Sequence, residues 1–104
     1  MQVAIVSSDA VHVDGHFGKA GRFLIYEIEG KTRTLLAVRV LTPYAGSNRD
    51  HPFDPARFAE VAGKLAGCRR LYCTKIGEKP AAEFKKLGIE PVLYSGPISG
   101  VQTT

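Results

Sequence analysis

The 104-residue chain is 44% hydrophobic and 23% charged, with a mean hydropathy of −0.05; this excludes disorder, and the length leaves room for one core rather than two. Residues 1–104 are therefore expected to form a single domain. No apolar run approaches the roughly 18 residues of a membrane span, and the start lacks the basic region of a signal peptide, so a cytoplasmic protein is expected. The net charge of +4 has a one-sided origin: residues 1–54 carry six basic and six acidic side chains, residues 55–104 eight and four. A basic second half favours an anionic partner, whether phosphate, nucleic acid or a charged cofactor.

In chain order, residues 2–7 are a short apolar run that reads as a buried strand entering a loop. Residues 8–21 form that loop, with three glycines and two of the three histidines. Residues 22–29 are β-branched and aromatic and, across a turn at residues 30–32, pair with the strand-like run 33–41 as a hairpin. A long loop with Pro43, Gly46, Asn48, Asp50, His51 and Pro52 follows. Asp54 and Pro55 suit N-cap and first helical position, and Phe58, Val61, Ala62 and Leu65 lie at helical spacing before Gly67. Residues 69–73 read as a strand, Gly77 as its exit turn, and residues 79–87 as a second helix with Ala82, Phe84 and Leu87 available for packing and Gly88 closing it. Residues 90–94 are the last strand, and residues 95–104 read as a flexible coil tail. The order β-β-β-α-β-α-β predicts an α/β protein with a five-stranded mixed sheet.

The densest chemistry is Val11-His12-Val13-Asp14-Gly15-His16-Phe17-Gly18, directly after the first strand. Imidazole binds borderline metals. The stretch from Val11 to Gly15 is extended and then turns, so His12 and His16 are not expected to converge as a helical pair would. A surface His12 and a turn His16 are the plain alternative. Gly15 and Gly18 permit positive φ and a close approach of ligand to backbone. The second feature is Cys73-Thr74-Lys75-Ile76-Gly77 at the exit of the fourth strand. If the first and fourth strands are parallel neighbours, their C-terminal ends flank the crevice where ligands bind in open α/β sheets. Cys73 is then near that crevice, or a small buried hydrophobe. Lys75 and the amides near Gly77 suit an anion. Cys68 and Cys73 read as thiols, since two cysteines make no disulfide framework.

Other functions fare worse. Arg69, Arg70, Lys75, Lys79, Lys85 and Lys86 cluster in sequence, but Lys85 and Lys86 read as the wet face of a helix, and the element order is not that of an RNA-recognition module. A two-metal nuclease needs carboxylates along its sheet, and residues 2–7 hold none. Hydrolase and nucleotide motifs are absent from the sequence.

The stretch from Val11 to Gly18 with Phe23-Leu24-Ile25-Tyr26, then Gly67-Cys68 through Ile76-Gly77 to Gly88-Ile89-Glu90-Pro91-Val92, resembles the dinitrogenase iron-molybdenum cofactor biosynthesis family. The resemblance spans nearly the whole chain and is greatest to its NifX and NafY type, small carriers of nitrogenase cofactor or its precursor. It implies a three-layer ribonuclease H-like fold without nuclease activity. It also implies a non-enzymatic carrier that transiently binds the iron-molybdenum cofactor or its iron-sulfur precursor, with cofactor-assembly proteins and apo-dinitrogenase as partners and no membrane or nucleic acid. A cofactor-contacting histidine is implied at His16, the candidate cluster ligand, with His12 and Cys73 next and Phe17, Gly18, Lys75 and Gly77 around them. The cargo is an anionic iron-sulfur cluster, so imidazole or thiolate with nearby cations and amides suits it. Four cysteines for a stably held cluster are not present, so binding is expected to be few-point and exchangeable. A small-ligand or regulatory module of the same fold is the alternative.

Overall fold

The computed structural model describes residues 1–40 and 55–101. Its architecture follows from the first strand. Along β1 (Gln2–Ile5), Val3 and Ile5 face one side while Ala4 and the following Val6 face the other, and all four are buried. A strand apolar on both faces belongs at the centre of a sheet. β1 pairs antiparallel with β3 (Arg22–Glu29) and parallel with β5 (Arg70–Cys73), the neighbour relation expected from the crevice argument. The hairpin turns at Gly30, whose φ of 59° suits glycine, into β4 (Thr32–Val40). β6 (Glu90–Leu93) runs parallel to β5, giving the order β4-β3-β1-β5-β6 with β3 reversed against the other four.

Both helices lie on one face. Phe58, Val61 and the trailing Leu65 of α1 (Pro55–Lys64) and Phe84 of α2 (Glu78–Lys86) meet Ala4, Val6, Phe23, Ile25, Leu71 and Cys73 in one apolar core. Pro55 begins α1 as expected; Asp54, the loop before it and His51 lie outside the described residues. In α2 the buried pair is Pro80 and Phe84, four apart, whereas Ala82 and Leu87, expected to pack, are exposed.

The opposite face carries a feature that strand periodicity does not predict. β2 (His12–Val13) pairs antiparallel with β7 (Gly96–Pro97), and a 3-10 turn, Ile98–Gly100, follows. Val13, Ile98 and Val101 close over Val3, Ile5, Leu24, Ile28 and Tyr72 as a second core. Residues 95–101 are therefore not the coil tail expected from their glycine content. Burial of Ile98 and Val101 holds them, with hydrogen bonds from Arg33 Nε to the Val101 carbonyl (3.1 Å) and from the Tyr94 hydroxyl to the Pro97 carbonyl (2.7 Å). No helix among the described residues is long and apolar enough to cross a membrane.

Candidate functional site

The C-terminal ends of β1 and β5 lie side by side, and the chain leaving β1 comes back across the exit of β5. There the Thr74 amide donates to the Gly15 carbonyl (2.9 Å) and the Phe17 amide to the Lys75 carbonyl (2.8 Å), so that His16 and Lys75 form a parallel bridge. Gly15 is required by contact with the protein itself: a Cβ there would stand 2.5 Å from Val6 Cγ1, and its φ is not in the left-handed region. The Phe17 side chain is the second anchor. It is 1% exposed, stacked on Phe23 at 6.2 Å and set edge-on to Phe84 at 5.3 Å. Between these two fixed points the His16 side chain is exposed, and among the described residues nothing hydrogen-bonds its ring.

His16 opens onto a cleft of about 600 Å³ whose walls include Val6, Ser7, Ser8, Asp14, Ala20, Arg22 and Val40. Both Asp14 oxygens are taken by Ser8, one by its amide (2.9 Å) and one by its hydroxyl (2.6 Å). Arg22 donates from Nη2 to the Ser8 carbonyl (3.0 Å) and from Nε to the Ser7 carbonyl (3.4 Å). Of these polar residues only Asp14 falls in a stretch that the sequence singles out; Ser7, Ser8 and Arg22 do not. In sequence Ser7 and Ser8 only close the first strand run and Arg22 only opens the run of β3; their meeting at the sheet's end comes from the pairing of β1 with β3.

His12 stands elsewhere. Its Nδ1 is 2.8 Å from Asp9 Oδ2, and it does not line the cleft. Asp9 Oδ1 also accepts the amides of Val11 and His12, each at 2.8 Å. The His12 ring first, then these amides, hold the Asp9 carboxyl well below the usual carboxylate range. Cys73 is fully buried in the helix-side core, and burial pushes its thiol up to about 11. Iron is ligated by thiolate, so this cysteine is poorly placed to serve. Cys68 is also a buried free thiol, likewise pushed up by burial. Lys75 and Gly77 are exposed and outside the cleft lining, although Lys75 is bridged to His16 through the backbone. Phe17 packs in the core rather than in the cleft, and Gly18 belongs to the 3-10 turn Phe17–Lys19. Among the described residues no three His, Cys, Asp or Glu side chains gather as a metal site. Among the described residues the cleft lining offers the His16 imidazole and the Arg22 guanidinium.

Residues 1–102 match the family described as dinitrogenase iron-molybdenum cofactor. The chain is 36% identical over 91 residues to the FeMo cofactor biosynthesis protein NifB of Klebsiella pneumoniae, covering 86% of this chain and 19% of that protein. It is 30% identical over 95 residues to protein NifX of Azotobacter vinelandii, covering 91% and 57%. The chain thus spans about a fifth of that NifB and just over half of that NifX. The NMR structure of a Thermotoga protein provisionally named for NifB shares the fold, with a TM-score of 0.60 at 23% identity over 92% of this chain and 78% of that one.

Proposed function

Because the chain belongs to the dinitrogenase iron-molybdenum cofactor family, we propose that it binds and carries an iron-sulfur type nitrogenase cofactor, or its precursor, during iron-molybdenum cofactor assembly, and catalyses no reaction. The observation that carries this reading is the His16 imidazole: exposed, without a side-chain partner among the described residues, at the mouth of a cleft, on backbone pinned at Gly15 and Phe17. An imidazole so held can donate a ring nitrogen to an iron of the cargo with little ordering cost. With a single exposed imidazole among the described residues that line it, such a site holds its cargo by few points and releases it readily, which suits a carrier. His12, tied to Asp9, and Cys73, protonated in the core, are assigned supporting roles. Lys75 and the amides near Gly77 stand beside the bridge, outside the cleft lining, and are given no contact with the cargo.

Cofactor-assembly proteins are the proposed donors of this cargo and apo-dinitrogenase the proposed acceptor; NifB and NifX relatives support such a setting. The sheet order, with β3 reversed against the other four strands, supports the ribonuclease H-like class that the sequence resemblance implies. Of the three layers expected, the one opposite the helices is, among the described residues, the β2–β7 ribbon and not a further helix. Anaerobic mixing with the isolated cluster precursor is expected to give a brown complex whose iron comigrates with the protein on gel filtration. Iron that elutes apart from the protein would contradict the carrier reading.

A further inference from the structure

We propose that Arg22 is the residue that reads the negative charge of the cargo in the cleft, an inference that rests on the carrier reading above. The reasoning starts from the Ser7–Ser8 peptide group. Its carbonyl oxygen accepts Arg22 Nε at 3.4 Å, while its N–H donates to Asp14 Oδ1 at 2.9 Å. A cation at one end of a peptide dipole and a carboxylate at the other reinforce each other and fix its orientation. The second Arg22 contact, Nη2 to the Ser8 carbonyl at 3.0 Å, completes a two-point anchor. A guanidinium has five N–H donors, so three remain.

The two charges of the cleft are not equivalent. Asp14 has both oxygens engaged by Ser8, one of them with the hydroxyl at 2.6 Å, which spreads its charge into donors of the protein. Arg22 has only neutral carbonyls for partners, and among the described residues no carboxylate is in ion-pair contact with it. Among the described residues its positive charge thus has no ion-pair partner, and it is held in place, half-buried on the wall of the cleft that His16 opens onto. An anion entering to meet His16 meets that guanidinium at no further cost in side-chain ordering. Lys75, the cation that the sequence places near the crevice, is exposed and outside the cleft lining, so its charge is screened by solvent and salt.

The test uses the full chain and a synthetic, doubly anionic [4Fe–4S] cluster capped by exchangeable thiolates, titrated anaerobically at low and high salt and followed by visible absorption. Arg22→Gln is expected to weaken binding about tenfold at low ionic strength and about threefold at high, because a half-buried charge is only partly screened. Arg22→Lys is expected to fall between wild type and Arg22→Gln, since it keeps the charge and loses the fork. Lys75→Gln should change affinity less than about twofold. Thermal unfolding monitors the fold; if Arg22→Gln does not fold, the folded Arg22→Lys variant decides, with a drop of about threefold expected. Binding by the deciding Arg22 variant equal to wild type, or a loss in Lys75→Gln as large as in the Arg22 variant, overturns the proposal. Absence of cluster binding by wild type overturns the carrier reading itself and this inference with it.

Discussion

The loop that leaves β1 is built in two different ways along its length, and the difference decides what its two histidines can do. Residues 7–14 are tied down by their own polar side chains as well as by the β2–β7 pairing of His12 and Val13: Ser7 Oγ accepts the Ala10 amide at 2.9 Å, Asp9 gathers the amides of Val11 and His12 and the His12 ring, and Asp14 grips Ser8. In residues 15–17 no polar side chain of the loop does this: the holding comes from backbone pairing to Thr74 and Lys75 and from a phenylalanine in the core. In the first half the imidazole is part of the scaffold. In the second, backbone and Phe17 do the holding, and the imidazole of His16 has no hydrogen-bond partner among the described residues. Spacing of four in sequence says nothing about this; the partner of each ring does.

Removing the core anchor should break the second half most severely. Phe17→Ala is expected to cost about 3–5 kcal/mol of stability, as for other buried phenylalanines, read by urea unfolding, and to abolish cluster binding in whatever protein remains folded. Gly15→Ala comes next. The new methyl meets Val6 Cγ1 at 2.5 Å, and overpacking of this kind costs about 1–3 kcal/mol. Adding Val6→Ala should return part of the stability lost to Gly15→Ala, because the two sites share one contact; a strictly additive double variant would show that the close approach is not what demands glycine. The smallest effect belongs to the first half. Asp9→Asn should leave cluster affinity within about twofold of wild type, since surface changes away from a site are usually minor.

Asp9 also gives the comparison a pH signature. Its carboxyl is held below the ordinary value of 3.8 by hydrogen bonds that exist only in the fold. A depressed carboxyl stabilises the folded state above the unfolded value and loses that contribution as pH falls below it. The stability gap between wild type and Asp9→Asn should therefore be level near neutrality and begin to shrink below about pH 4. A gap that grows toward acid would contradict the assignment.

The main sheet and its helices were legible because their residues repeat. Val3 and Ile5 against Ala4 and Val6, the hairpin residues of β3 and β4, and Phe58, Val61 and Leu65 behind Pro55 each carry a period that burial enforces. The β2–β7 ribbon carries none. Two-residue strands are too short to show alternation, and Gly96-Pro97 reads locally as a turn; only pairing with His12 and Val13, more than 80 positions earlier, makes it a strand. Phe17 illustrates a different limit. Beside a candidate ligand histidine it resembled part of the binding surface, whereas its ring fills the gap between Phe23 and Phe84. Arg22 was read as a strand residue because nothing in sequence shows that a strand's first side chain reaches the carbonyls of Ser7 and Ser8.

The central claim, that His16 and not His12 meets the cargo, is tested most directly by pulsed electron paramagnetic resonance of cluster-loaded protein in a paramagnetic state, with isotopically labelled histidine nitrogen. Nitrogen coupling to the cluster is expected in wild type and in His12→Ala and should vanish in His16→Ala, whose thermal transition should stay within about two degrees of wild type because an exposed imidazole contributes little packing. Coupling that survives in His16→Ala, or that disappears in His12→Ala, would contradict the account.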